Sequence, residues 1–364
     1  MKRSIGMGGM VVLVVALFLP ARASAKEIAD SFGRILTVPD GISRVICSGS
    51  GCLRLLTYLT AQDAIVGVDS IEKQGSRVDV RPYALANPRF KNFPLFGEFR
   101  GKDNPELILA LNPAPQVIFK VDPKTLDESI TLEEKTGIPV VTLRYGDLLD
   151  GRAAFYASLR TMGGLMGKSD RAEKVVAFFE ETIADLEKRT RDIPEADRTS
   201  VFLGGVAFAG PHGFLSTEPA YAPFSFVHAR NPAYSKQLKA DISKEKIVEW
   251  NPDVIFLDLA TMRSGDKSGG LYELQNDTVY RSLSAVKSGK VYGLIPHNSY
   301  NTNFESTMAN AYFVGKLLYP DRFQDVDPAS KADAIFGFLD GKPLFAQLNE
   351  MLGGYVFAKL PVQE

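Results

Sequence analysis

The chain uses one phrase twice, NPELILALNPAPQVIF at 104–119 and SKEKIVEWNPDVIF at 243–256. In each copy a glutamate, Glu106 or Glu245, stands six residues before Asn112-Pro113 or Asn251-Pro252, and an apolar run ending Val-Ile-Phe follows. Leu107, Ile108 and Leu111, like Ile247, Val248 and Trp250, are spaced as the apolar face of a short helix. Proline ends such a helix because it lacks an N–H and crowds the preceding turn. The unbroken apolar run predicts a strand buried on both faces, as in a parallel sheet. Both copies continue alike, first with a helical stretch (KTLDESITLEEKTG or GLYELQNDTVYRSLSAVKSGK) and then with a second strand (IPVVTLRYG or VYGLIPHN). Duplication on this scale predicts two α/β lobes built to one plan.

A length of 364 residues accommodates two such lobes. The formal charge is −1 and no Lys/Arg stripe is present, so nucleic acid is not an expected partner. Residues 1–25 read as a signal peptide: Lys2 and Arg3, then MVVLVVALFLP, then Ala23-Ser24-Ala25 as the cleavage pattern. The apolar run falls short of the roughly 20 residues that span a bilayer, so the mature chain, from Lys26, is expected to be soluble and exported to the periplasm.

Export gives Cys47 and Cys52 an oxidising context. They flank Gly-Ser-Gly between a predicted strand, RVIC, and a predicted helix, LRLLTYLT. Either the loop brings them close enough to bridge, or they are two small apolar residues that never meet. Ser48 and Ser50, with free N–H groups at a helix start, offer a place for an anionic group; the other reading is an ordinary strand-to-helix turn. Between the two lobes, residues 169–192 form the longest amphipathic pattern, opening with Ser169 and Asp170 and burying Val175, Val176, Phe179, Ile183 and Leu186. A helix of that length reaches on the order of 35 Å and can join the lobes as a rod.

The exported start, DSFGRILTVP, RVIC, LLTYLTAQDAIVGVD, the duplicated units and the joining helix together resemble the iron-siderophore and vitamin B12 group of bacterial periplasmic binding proteins, over roughly residues 30–320. The resemblance implies two Rossmann-like lobes with parallel-rich sheets, at 26–168 and 193–364, held by one rigid helix at 169–192, with cargo bound between them. It further implies a monomer with no intrinsic cofactor that delivers a ferric chelate or a corrinoid to an ABC permease. The glutamates that meet permease arginines in that group fall on Glu106 and Glu245. Haem, another metal complex or an oxyanion is the alternative cargo.

In open α/β sheets, ligands sit outside the carboxyl ends of the strands. The loops there supply the candidate ligand-binding residues Ser48, Ser50, Arg77, Arg81, Phe96, Arg100, Tyr145, His212, Phe214, Tyr221, Arg263, His297 and Tyr300, with Arg144 beside them. Arginine forks suit carboxylate or catecholate oxygens and aromatic faces suit rings. With three histidines in the chain, a zinc site is not expected. Nor is an enzyme. CSGSG is not a nucleophile elbow, GGLMGKS places too few residues between its glycines for a P-loop, and Arg54 occupies the third glycine position of a dinucleotide fingerprint. The tail after residue 320 reads as short helices broken by Asp-Pro and Gly-Lys-Pro, expected on the outer face of the second lobe.

Overall fold

Each Val-Ile-Phe run becomes the middle strand of a three-stranded parallel sheet. In the first, Val117–Val121 lies between Val45–Ser48 and Val140–Leu143; in the second, Val254–Asp258 lies between Val201–Gly204 and Val291–Leu294. The two registers are identical. Val117 pairs with Val45 while Ile118 pairs with Val140, and Val254 pairs with Val201 while Ile255 pairs with Val291. Both middle strands are buried along their full length, as strands covered by helices on both faces must be. A computed structural model provides this description, for residues 25–73, 79–208, 210, 212–264 and 269–362. The leader expected at 1–25 lies outside the described residues, apart from Ala25, which opens a short strand paired with Ile35–Pro39.

The glutamate-bearing helices are Pro105–Leu109, capped by the Asn104 side chain on the Leu107 N–H, and Lys244–Trp250, capped by Ser243 on the Lys246 N–H. In the first copy Ile108 and Leu111 are buried, whereas Leu107 and Leu109 are 38% and 56% exposed. Leu107 therefore does not belong to the core face expected of it: five helical residues turn too few side chains inward. The Asn-Pro steps also differ, Asn112-Pro113 being cis and Asn251 taking a left-handed cap with φ 40°.

The joining helix runs from Ser169 to Thr190 and starts without a side-chain cap. Its five expected apolar residues are all buried. Near its start Arg171 donates to the Tyr58 carbonyl of the first lobe at 2.8 Å. Near its end Asp185 accepts from Tyr312 at 2.8 Å and Thr190 meets His228 at 2.9 Å, both in the second. Beside it the helix Phe304–Leu318 is buried from Phe304 to Gly315, and Phe304 packs against Tyr145, Phe155 and Phe179. One continuous apolar core thus runs through both lobes.

The tail does more than cover the second lobe. The helix Pro328–Asp340 packs on Phe304–Leu318 and also on the first-lobe helices Cys52–Tyr58 and Pro82–Ala86. Arg171 reaches its Phe338 carbonyl while Phe178 and Phe338 stack at 4.4 Å. The final segment then adds to the edge of the second sheet, Leu360 donating to Val291 at 2.8 Å.

Candidate functional site

The carboxyl ends of both sheets face one cleft of about 830 Å³ between the lobes. From the first lobe come Asp122, which follows the middle strand, and the segment from Arg144 to Gly151, which follows the third. The second lobe supplies Phe208, Glu218, Tyr234, Lys236, Leu238 and Lys239, together with Asn298, Asn301, Thr302 and Phe304. The walls are therefore aromatic and aliphatic, with a few polar groups convergent on them, as in small-molecule sites generally.

The charges of the cleft differ in how far they are already engaged. Asp122 accepts from the Tyr145 N–H at 3.2 Å, and burial pushes its carboxyl up from the ordinary range. Asp147 accepts from Leu149 and Gly151 N–H groups at 2.6 and 2.9 Å, so it serves its own turn. Glu218 is bonded to His297. Asp150 and Lys236 meet at 3.5 Å across the mouth; with side chains 89% and 85% exposed, that pair contributes little. Among the described residues no hydrogen bond or ion pair engages the Lys239 ammonium or the Arg144 guanidinium, which stacks 4.2 Å from the Phe32 ring centre. Two cations are thus available to an incoming anion.

Of the ligand-binding candidates named from sequence, Tyr145 lines the cleft. Its ring packs against Gly51, and its hydroxyl accepts from Arg54 and donates to the Thr302 carbonyl at 2.6 Å. The other candidates whose side chains are described lie elsewhere. Ser48 is buried under Lys120 and Asp103, and the Ser50 carbonyl accepts from Asn301 at 3.1 Å. Phe96 and Phe214 are fully buried in the cores. Arg81 is buried between Glu72 and Asp79, at 2.9 and 2.7 Å. Tyr221 is buried with its hydroxyl on Asn310. His212 is exposed and contacts the Phe208 carbonyl. The Arg100 N–H donates to the Tyr300 hydroxyl at 3.1 Å, and that hydroxyl in turn donates to Asp69. Arg77 and the Arg263 side chain lie outside the described residues.

His297 shows why a loop histidine need not be a ligand. Its Nε2 lies 2.8 Å from Glu218 and its Nδ1 3.0 Å from Asp258. Burial by itself would lower its pKa, but the two carboxylates more than reverse this and hold it up to about 10. A protonated ring has no lone pair for a metal. Among the described residues, no group of three or more His, Cys, Asp or Glu side chains is placed to hold a metal ion. Cys47 and Cys52 are both free and buried. Among the cleft residues that sequence reasoning missed, Tyr234, Lys236, Leu238 and Lys239 come from one irregular stretch, 231–239, whose signal was two lysines without a helical or strand period.

Two lobes with identical registers, a joining helix and a cleft on their strand ends are an arrangement that known proteins share. The profile of the periplasmic binding proteins matches residues 45–297, which spans both sheets. The chain belongs to that family. It is 26% identical over 327 residues, 83% of this chain and 87% of the relative, to the molybdate-binding protein MolA of Haemophilus influenzae. It is 24% identical to the iron-uptake system-binding protein of Bacillus subtilis, over 65% of this chain and 75% of the relative. The solved structure of MolA bound to molybdate superposes with a TM-score of 0.67 at 22% identity, covering 87% of this chain and 98% of that one. A periplasmic solute binding protein from Veillonella parvula reaches 0.71 at 19% identity, over 92% and 98%. Glu106 and Glu245 are both exposed in the first turns of their helices, one on each lobe.

Proposed function

We propose that this periplasmic binding protein captures an anionic ferric chelate of the siderophore class in the interlobe cleft and delivers it to an ABC permease that docks on Glu106 and Glu245. The observation that carries the reading is the cleft itself: about 830 Å³, aromatic-walled, with no hydrogen bond or ion pair on the Arg144 or Lys239 side chain among the described residues. That volume lies within the roughly 300–1,000 Å³ typical of sites for molecules of several hundred daltons. A hydrogen bond from a cation to an anionic oxygen contributes about 1.5–3 kcal/mol, so two of them dominate selectivity for charge. Exposed carboxylates on the two lobes suit a partner with paired basic groups, which sets its orientation and steers its approach. The role is binding and release, not catalysis, and the leader sequence fits export to the periplasm.

The second reading is a bare oxyanion, favoured by the likeness to MolA over 83% of this chain. Calorimetric titration of the purified protein with a ferric tris-catecholate, a ferric tris-hydroxamate, cobalamin, haem and molybdate separates the two. We expect a ferric chelate to bind at micromolar concentration or tighter, and Arg144→Gln to weaken it about tenfold or more, in line with the loss of one charge-assisted bond. Binding of molybdate alone would establish the oxyanion reading instead. Failure of all five to bind would overturn both.

A further inference from the structure

The second lobe reaches its half of the cleft through a turn at 297–303 that is held from the other lobe. Asn298, Asn301 and Thr302 face the cavity from this turn. Tyr300 and Asn301, in succession, have φ of 53° and 75°, a left-handed region that costs roughly 1–2 kcal/mol for a residue such as tyrosine and less for asparagine. Two such residues in a row persist only when their surroundings over-determine them.

The surroundings here belong to Arg54. It sits on the first-lobe helix Cys52–Tyr58, is fully buried and does not line the cavity. Its fork donates to the Ser299 carbonyl at 3.1 Å and the Thr302 carbonyl at 3.0 Å, and to the Asn303 side chain and the Tyr145 hydroxyl. Glu305, on the helix that follows the turn, balances its charge at 3.6 Å. A planar guanidinium grips carbonyls on both sides of a turn from two separate nitrogens in one fixed geometry, which the single nitrogen of an ammonium does not reproduce. The Tyr300 hydroxyl, donating to Asp69 and accepting from Arg100 N–H, and the Asn301 amide on the Ser50 carbonyl pin the tip of the same turn to the first lobe.

We propose that Arg54 is a positioning residue for cargo: from the first lobe, and without touching the cavity, it fixes the turn that presents Asn298, Asn301 and Thr302 to the ligand. This rests on the cleft being the cargo site. Asn298, at the start of the turn, is also held within the second lobe by its amide on the Ala207 carbonyl at 2.8 Å, so cargo that leans on Asn301 and Thr302 is what both lobes hold, because those contacts keep their geometry while the first lobe grips the turn.

Two variants and two readouts test it. Arg54→Lys keeps the charge beside Glu305 and loses the fork; Tyr300→Phe removes one hydroxyl at the tip and should leave the melting temperature close to wild type. In the ligand-free protein we expect Arg54→Lys to speed amide hydrogen exchange at Thr302 and Asn303 by about tenfold or more, with a smaller rise in Tyr300→Phe, while the strands of both sheets stay unchanged. Stopped-flow binding of a ferric tris-catecholate and of molybdate should show a dissociation rate raised at least several-fold and an association rate left near wild type in both variants. Unchanged exchange at Thr302 and Asn303 in both variants, or a loosened turn with unchanged dissociation, overturns the assignment to Arg54. If neither probe binds the wild type, the cargo reading fails and the positioning role fails with it, a result distinct from a wild type that binds and variants that bind equally well.

Discussion

The histidine locked between two carboxylates makes stability depend on pH in a defined direction. His297 titrates near 10 in the folded protein against an ordinary 6.5. The folded state therefore keeps a proton that the unfolded chain releases, so this stabilisation is complete below about pH 6.5 and is lost as pH rises through about 10. At about 1.4 kcal/mol per unit, the difference amounts to roughly 5 kcal/mol, and solvent screening at the partly exposed Glu218 brings it nearer to about 3. Urea unfolding followed by Trp250, the single tryptophan, measures it at intervals from pH 6 to pH 10. We predict that wild-type stability falls by about 3–5 kcal/mol more than that of His297→Gln across this window, with no difference in the denaturant slope. The comparison matters because groups away from His297 titrate there too and cancel between the two proteins. Parallel stability profiles for wild type and variant would refute the account of a charged His297.

Two further outcomes follow from exposed and crowded positions. Reversing Glu106 and Glu245 to arginine together should abolish cargo uptake in cells while leaving cargo affinity and melting temperature near wild type, since neither carboxylate makes a hydrogen bond or ion pair among the described residues; sustained uptake would remove the docking role. Gly51→Ala should cost about 2–5 kcal/mol in unfolding free energy, because φ is +85° and the added Cβ would stand 2.3 Å from the Tyr145 ring; a cost under about 0.5 kcal/mol would show that the ring moves aside freely.

What was legible in the sequence was whatever depends on neighbours along the chain. The runs at 117–119 and 254–257 announce buried strands by continuous apolarity, and the Ser169–Thr190 helix announces itself by period. Leu107 misled because its helix is only five residues long, too short for the spacing to hold. The site was less legible because its decisive partners are distant in sequence. Arg54 sits in LRLLTYLT, which reads as a plain apolar helix, yet it bonds residues near 300. His297 stands in a strand-end loop and is consumed by carboxylates that the fold delivers from elsewhere, whereas Arg81 is consumed by Glu72 and Asp79 of its own segment. Lys236, Leu238 and Lys239 lie in an irregular stretch, where nothing local shows which way a side chain turns.

The helix Pro328–Asp340 also constrains how the molecule comes into being. The first-lobe helix it covers, Cys52–Tyr58, emerges from the ribosome roughly 270 residues earlier, so that lobe lacks part of its wall until residues 328–340 have been made. Nascent chains stalled before residue 328 should therefore present an apolar first-lobe face to chaperones and proteases that the finished protein never shows. Completion of the helix Pro328–Asp340, more than closure of either sheet, is the event after which that face is covered.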